Sequence, residues 1–236
     1  VCSMVKTADP SSQSKMRLRR LIEARVLHKS FRDIGNRVRF GKLAPLSDEC
    51  LYVDPMAIKK LYMAAPKEGA PSLKRFNSGQ VRAGNWDLST QDLFETPQLR
   101  AIRQHFVDGV SWQSTGLIGA LMEDVERKGN ADGYRSREEL LARYERLDRL
   151  FDEVSKTKRL TPVHQRPGML RREHGGIFVH IARDGSALRS GGGKHRFAIA
   201  RVLELPEIPV QVGAVHIDAV RSGKYNELRR SRWGQG

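Results

Sequence analysis

Three consecutive glycines stand directly before three consecutive basic residues at positions 191–196. The apolar pattern becomes helical from Lys194, so the glycines lead into the start of a helix. The first backbone N–H groups of a helix have no internal partner, and the helix dipole is positive there. Glycines let an anion approach the backbone closely, and basic side chains add donors. We therefore predict a phosphate-binding cradle made of Gly192, Gly193, Lys194, His195 and Arg196.

The predicted cradle does not match two well-known nucleotide-binding motifs. The GxxxxGK[ST] pattern of a P-loop is absent, and the GxGxxG pattern of a dinucleotide-binding turn is not met. A flexible surface loop in front of a basic helix is the alternative interpretation. His195 counts among the candidate catalytic residues as well as among the phosphate ligands.

The residues around the cradle predict alternating strands and helices. Branched apolar residues alternate before it, and Asp184-Gly185 is a tight-turn pair. Pro206 closes the helix that follows the glycines. The predicted elements are a strand over Ile177–Ala182, a return strand over Ala187–Arg189, a helix from Lys194 to Leu205, and a strand over Ile208–Val212.

The segment from Gly193 to Val212 carries a family resemblance. Gly193–Ala200 reads GKHRFAIA, Leu203–Leu205 reads LEL and Ile208–Val212 reads IPVQV. This order resembles the G-x-H-R box, helix and IPV-x-V strand of the ParB/sulfiredoxin superfamily. The similarity covers about residues 176–216, and a weaker part begins near Leu51. It implies an α/β fold with a small mixed sheet that binds nucleotide phosphates on the box.

The resemblance also favours one branch of that superfamily. Lys194 stands where sulfiredoxins carry their reactive cysteine, and only about twenty residues follow His216, too few for the helix-turn-helix domain of partition proteins. The remaining branch is kinase-like and includes free-serine kinases. It implies ATP or another nucleoside triphosphate, Mg²⁺, and a small acceptor that carries a hydroxyl group. Kinase-like members often have Asp at the position of Gly192.

An acid outside the box must then hold the metal or orient the acceptor. Asp87 ranks first, because it follows Trp86 in a glycine-flanked loop where the indole could form a substrate wall. Asp54, at the end of an early strand, ranks second, and Asp184 ranks third. The alternative for the first candidate is that Trp86 fills the core beside a capping Asp87.

The middle of the chain predicts a helical insertion over about residues 92–158. Thr96-Pro97 and Ser136 are helix-start signals, and Gly129 follows a second helical pattern. Residues 161–175 form a predicted lid loop. His180 is expected to face solvent or the site from its strand, and His216 to reach the cradle from the end of the last strand.

The formal net charge of +15 is concentrated at the two ends of the chain. Residues 1–43 hold 11 Lys/Arg and 3 Asp/Glu (+8), residues 221–236 hold 5 Lys/Arg and 1 Glu (+4), and residues 44–220 account for the remaining +3. We predict a basic N-terminal segment, a domain over 44–220 and a basic C-terminal tail. Basic ends attract nucleic acid or anionic lipid, although a solvated tail gives the same composition.

The basic N-terminal segment itself predicts a disordered stretch over Val1–Ser14 and an amphipathic helix over Lys15–Arg39. Its apolar residues recur at helical spacing: Leu27, Phe31, Ile34 and Val38. We expect this stripe to pack on the chain's own domain; the alternative is that it lies on an anionic membrane surface.

Two cysteines and no apolar run of membrane-spanning length suit a reducing, cytoplasmic location, with attachment to a membrane surface as an addition. The leading functional hypothesis is nucleotide-dependent phosphoryl transfer to a small polar acceptor. The alternative is a binding protein without catalysis, gated by nucleotide or associated with nucleic acid.

Overall fold

A seven-stranded mixed sheet organises the chain, and the helices between residues 97 and 202 pack on one of its faces. The computed structural model describes residues 27–93, 96–131, 133–165 and 176–230. The predicted disordered stretch over Val1–Ser14, the start of the predicted helix at Lys15, most of the predicted lid and the last six residues lie outside these ranges.

The strands are β1 (Cys50–Val53), β2 (Lys60–Tyr62), β3 (Val81–Arg82), β4 (Thr90–Asp92), β5 (Ile177–Ile181), β6 (Ala187–Arg189) and β7 (Ile208–His216). The helices of the described ranges are α1 (Leu27–Phe40), α2 (Pro97–Phe106), α3 (Leu117–Lys128), α4 (Arg137–Thr157), α5 (Lys194–Val202), α6 (Ile217–Arg221) and α7 (Lys224–Leu228). The fold is therefore mixed α/β, as the sequence predicted at that level.

Strand β7 is the longest strand and has two neighbours on one side. The strand order is β1-β7-β5-β6-β2-β4, and β3 also pairs with β7. The first half of β7 pairs antiparallel with β1, from Val53 opposite Ile208 to Cys50 opposite Gln211. Its second half pairs in parallel with β3, where Val81 lies opposite Val215. Strand β5 covers the other side of β7 in parallel.

The turn between β5 and β6 and the glycine loop after β6 lie at opposite ends of the sheet. The two strands are antiparallel, and the turn between them contains Arg183 and Asp184. The glycines follow β6 and lie where β5 begins, since the Ser190 N–H donates to the Phe178 carbonyl at 2.9 Å. We call these the turn end and the loop end of the sheet. At about 3.3 Å per residue, β5 holds them on the order of 10 Å apart.

Strand β5 is buried on both faces, which explains its nearly continuous apolar sequence. Ile177, Val179 and Ile181 belong to the main core together with residues of α2–α5. Each such side chain contributes roughly 1.5–3 kcal/mol by its burial. Trp86 and Leu188 belong to a second, smaller cluster.

Three helices lie in the segment for which a helical insertion was predicted, and their caps explain where they begin. The Thr96 side chain accepts a hydrogen bond from the Leu99 N–H at 3.1 Å. The Ser136 hydroxyl accepts one from the Glu139 N–H at 3.2 Å. Gly129 ends α3 in the left-handed conformation, which glycine adopts without a steric cost. Helices α2–α4 lie between β4 and β5 in sequence.

Two local predictions differ from the structure. The sequence over Met56–Ala65 predicts a short helix or turn, but β2 lies within this segment, paired with β4 on one side and β6 on the other. The last strand continues to His216 instead of ending near Val212. In both places pairing with distant strands decides the conformation, and local propensity does not contain that information.

The first part of the predicted basic C-terminal tail packs on the domain. Tyr225 of α7 is fully buried, and its hydroxyl donates to Glu49 at 2.7 Å. Burial and the adjacent Glu49 carboxylate raise the pKa of Tyr225 well above its ordinary value. Arg229 forms an ion pair with the same carboxylate at 2.6 Å. Residues 221–230 therefore belong to the folded unit.

The prediction that α1 packs its apolar stripe on the domain is wrong. The stripe residues are 59–81% exposed: Leu27, Phe31, Ile34 and Val38. The opposite, polar face of the helix packs inward. Lys29 is fully buried and donates to both carboxylate oxygens of Asp48 at 2.8 Å. Asn36 donates to the carbonyl oxygens of Pro45 at 2.8 Å and Gly79 at 2.7 Å.

No helix of the described ranges has the length and apolar composition needed to cross a bilayer.

Candidate phosphate-binding loop

The glycine loop connects β6 to α5 at the loop end of the sheet. Gly193 caps α5 with φ of 64°, and its carbonyl accepts the first helical hydrogen bond, from the Phe197 N–H at 3.0 Å. A Cβ atom at Gly193 would lie 2.8 Å from the Cα of Ile177, closer than real Cβ atoms approach. Glycine is thus required there by both conformation and space.

Arg189 lies under the loop and is almost completely buried. Its guanidinium donates to the carbonyl oxygens of Phe178, Ser190 and Gly192. These partners are neutral, so within the described chain no carboxylate balances this buried positive charge. Burial and the nearby Arg75 lower the pKa of Arg189 to about 10, which still leaves it protonated at neutral pH. An anion on the loop would reduce the cost of this charge.

Arg75 is a second guanidinium at the loop end. It lies in the short 3-10 turn Arg75–Asn77 and donates to the carbonyl oxygen of Gly176 at 2.5 Å and to the side chain of Gln211. Any side chain at Gly192 would overlap this guanidinium. Gln211 in turn donates to Asp48 at 2.7 Å, so a buried polar chain joins the loop to the Lys29 anchor of α1.

The three predicted basic ligands have different surroundings. Lys194 is exposed at the start of α5, and no side-chain hydrogen bond to it is found within the described ranges. Arg196 is half-buried and donates to the carbonyl oxygen of Thr161. Of the three, Lys194 is the side chain best placed to meet a ligand from solvent.

His195 is buried and bonded to the helical insertion. Its Nε2 lies 2.9 Å from the Tyr144 hydroxyl, and its Nδ1 lies 3.4 Å from the Arg143 guanidinium. An arginine can only donate, so in the neutral ring Nδ1 accepts and Nε2–H donates to the tyrosine oxygen. These contacts suit a residue that positions α5 against α4 better than one that binds phosphate or transfers a proton.

Asp87, the first-ranked acid, lies at the turn end and is paired with Arg183. One carboxylate oxygen accepts from the guanidinium at 2.7 Å, and the other accepts from Nε at 2.9 Å and from the Arg183 N–H at 3.0 Å. Burial alone would raise the pKa of this carboxyl. The hydrogen bonds from Arg183 and the nearby His216 instead lower the pKa below its ordinary value. Trp86 is 2% exposed, in agreement with the core-filling alternative.

Asp54 and Asp184 come together, but in a different place. Both line a cavity of about 580 Å³ that residues 190–196 do not line. Asp184 accepts from the Ser186 hydroxyl at 2.7 Å, and Asp54 from the Met56 N–H at 2.7 Å. Arg201, near the last turn of α5, donates to the Pro55 carbonyl at 3.3 Å. The Asp54 segment therefore lies about 10 Å along the helix from the loop.

The two candidate histidines on strands are structural in their contacts. His180 was expected at solvent or at the site, but it is fully buried. His216 was expected to reach the cradle, but it ends β7 at the turn end. Its Nδ1 accepts from the Asp218 N–H at 3.1 Å, which leaves Nε2–H to donate to the Gly84 carbonyl at 2.8 Å.

Two arginines at the loop end, Arg189 and Arg75, are not among the residues predicted from the sequence. Arg189 could have been found, because it is the last residue of the return strand, two positions before the glycines. Arg75 could not, because 100 residues separate it from Gly176 and no motif marks it.

Metal binding has little support among the described residues. No group of three or more His, Cys, Asp and Glu side chains in the described ranges is arranged to hold one. None of the three candidate aspartates lies at the loop, so none of them could hold Mg²⁺ beside a phosphate bound there. Comparisons with protein families, curated proteins and solved structures found no match for this chain.

Proposed function

We propose that this chain binds the phosphate groups of a nucleotide on its glycine loop, within a fold of the ParB/sulfiredoxin kind. The observation that carries the proposal is the buried Arg189, whose charge meets carbonyl oxygens and the face of the Phe197 ring in the described chain but no carboxylate. The exposed Lys194 and the first backbone N–H groups of α5 follow Arg189 closely in the sequence. Together they supply a positive field and hydrogen-bond donors at one place.

The order of elements supports the fold part of the proposal. Strand β5, the turn, β6, the glycine loop, α5 and β7 follow one another as the resemblance implied. The early strand β1 pairs with β7, which agrees with the weaker similarity near Leu51. The sheet also contains β2, β3 and β4, and the helical insertion lies between β4 and β5.

The positions of the acids favour binding over phosphoryl transfer. Transfer needs a carboxylate to orient the acceptor or to hold a metal ion. Asp87 and Asp184 lie at the turn end, Asp54 lies beside the far end of α5, and the Asp87 carboxylate is occupied by Arg183. The kinase-like alternative, with ATP, Mg²⁺ and a hydroxyl-bearing acceptor, therefore lacks an assigned carboxylate at the loop.

Calorimetric titration with ATP, with and without Mg²⁺, tests the proposal. Lys194→Ala should weaken binding by roughly 1.5–3 kcal/mol, the range for a hydrogen bond to a charged group. Lys224→Ala removes another exposed lysine, beside Gly185 at the turn end of the sheet, and should change nothing. Unchanged affinity of Lys194→Ala, with an intact fold, would contradict the proposed site.

Release of ADP separates the two versions of the function. We expect no turnover of bound ATP with small hydroxyl-bearing acceptors. Turnover that depends on an acceptor would instead establish the kinase-like alternative and leave the phosphate site in place.

A further inference from the structure

An apolar patch covers the outward face of α1. Ten large apolar side chains are conspicuously exposed in the described ranges, and six of them lie on this helix or directly beside it. They are Leu27, Phe31, Ile34, Val38, Leu43 and Phe76. The four helix members fall within an arc of about 60° at 100° per residue. We call this set the α1 patch; such a cluster, unlike scattered apolar residues, marks an interaction surface.

Buried polar contacts fix the direction in which the α1 patch faces. Lys29 and Asn36 lie on the opposite side of the helix, and both are buried. Rotating the stripe inward would leave Asp48 buried without its lysine, a change that costs several kcal/mol. Phe76 joins the patch because the ring of His28 stacks on it at 3.8 Å. The outward stripe is thus a property of the fold.

The charges around the α1 patch have a single sign. Arg37 and Arg39 are exposed on the two borders of the stripe, and Lys42 follows the helix. Asp33, the one acid of residues 27–43, accepts a hydrogen bond from the Ser47 N–H at 2.7 Å on the inward side. An occupant of this surface must therefore be apolar where it meets the stripe and negative around it.

We propose that the α1 patch docks on a membrane surface that contains anionic lipid. Helices that lie in the interface insert apolar side chains among the acyl chains and place Lys and Arg at the headgroups. A second copy of this chain would bring like charges together. The preceding residues 1–26 hold six Lys/Arg against two Asp/Glu, so their charge does not complement the patch either. A nucleic acid would meet the arginines but leave the stripe in water.

Flotation of the full chain with vesicles tests this proposal. We expect binding to phosphatidylcholine vesicles that contain about 30% phosphatidylserine, and much weaker binding to pure phosphatidylcholine. The double variant Phe31→Gln/Ile34→Gln should bind anionic vesicles at least about tenfold more weakly. The variant Arg37→Gln/Arg39→Gln should lose about 25-fold, from about fivefold per basic residue near the surface.

The matched control is Leu88→Gln/Val107→Gln, which removes two equally exposed apolar side chains far from α1 in sequence. Vesicle and ATP affinities of this control should equal those of the wild type. Equal losses in the control and in Phe31→Gln/Ile34→Gln would overturn the proposal.

Three further results would also overturn it. The first is a concentration-dependent dimer in ultracentrifugation that Phe31→Gln/Ile34→Gln abolishes. The second is a fall in the melting temperature of that variant well beyond the control, since the stripe would then be packed within the chain. The third is binding to duplex DNA, in the absence of vesicle binding, that depends on Arg37 and Arg39 alone.

Discussion

His180 occupies an apolar cage on the sheet face opposite the helices. Its Nδ1 accepts a hydrogen bond from the Ala214 N–H at 3.0 Å, and the rings of Tyr62, Trp86 and Phe178 surround it. No partner for Nε2 is found among the residues described. Burial lowers the pKa of His180 to about 3, because the charged ring would have neither water nor a counter-ion.

This burial predicts a loss of stability in mild acid. The folded-state pKa is below the unfolded value of about 6.5, so stability is complete above pH 6.5 and falls as the pH approaches 3. At pH 4.5 the loss is roughly 3 kcal/mol, from about 1.4 kcal/mol per pH unit. Urea unfolding at pH 7 and 4.5 measures it. His180→Asn keeps an acceptor near Nδ1 and should remove this part of the pH dependence; an unchanged difference would show that other groups cause it.

A second prediction at the residue scale concerns Asp87. Asp87→Asn removes the charge that Arg183 meets and leaves the shape, so we expect the free energy of unfolding to fall by about 1–3 kcal/mol. The affinity for ATP should not change, because Asp87 lies at the turn end. Asp92→Asn, at an exposed position of β4, is the control for stability. A loss of ATP affinity in Asp87→Asn alone would place this acid in the site after all.

At the scale of elements, the three glycines of the loop have different surroundings, so substitutions at them should have different effects. A methyl group at Gly191 would meet nothing within 4 Å, whereas one at Gly192 would overlap the Arg75 guanidinium, and φ at Gly192 is 93°. Gly192→Ala should therefore shift the Arg75 guanidinium and, because of the positive φ, cost about 1 kcal/mol or more in backbone strain. Gly191→Ala should be close to neutral.

Parallel measurements of melting temperature and ATP affinity separate these two variants. We expect Gly192→Ala to lower both, since the cradle and the fold meet at this residue. If Gly191→Ala is as damaging as Gly192→Ala, the loop conformation described above is not the one that matters for binding.

The elements around the loop could be predicted because their signals are local. Alternating apolar residues, the Asp184-Gly185 turn, the glycines before Lys194 and the caps at Thr96 and Ser136 each lie within a few residues of the structure they specify. The direction of α1 could not be predicted, since the periodicity of Leu27, Phe31, Ile34 and Val38 is the same whether the stripe faces inward or outward. The polar face decides it, through Asp48 and Gly79, which no local pattern connects to the helix.

The candidate site shows the same limit. The glycines and Lys194 were found from spacing alone, but the roles of His195 and Asp87 depend on Tyr144 and Arg183. These partners lie 51 and 96 residues away along the chain. A side chain that could do chemistry and one that holds two elements together look alike until their partners are known. Here His195 is hydrogen-bonded to Tyr144, and Asp87 is hydrogen-bonded to Arg183.

At the scale of the whole molecule, the sheet joins distant parts of the chain. Cys50 of β1 lies opposite Gln211 of β7, 161 residues later (211 − 50). Among the strand pairs of the described ranges, only β5 and β6 are joined by a tight turn. Sheets built from such non-local pairs fold slowly, because long loops must close before the pairing stabilises them.

Because of this separation along the chain, β1 is synthesised well before the strand with which it pairs. A ribosome adding about 5–20 residues per second needs roughly 10–30 s to pass from β1 to its partner strand, and during that time β1 has no native neighbour. We expect arrested nascent chains that end before Ile208 to be cut readily by protease near residues 50–53, and chains extended well past His216 to resist. Equal protease resistance of the shorter and the longer chains would mean that β1 is protected before β7 has been synthesised. Strand β7, which pairs with β1, β3 and β5, thus sets the earliest time at which this side of the sheet can assemble.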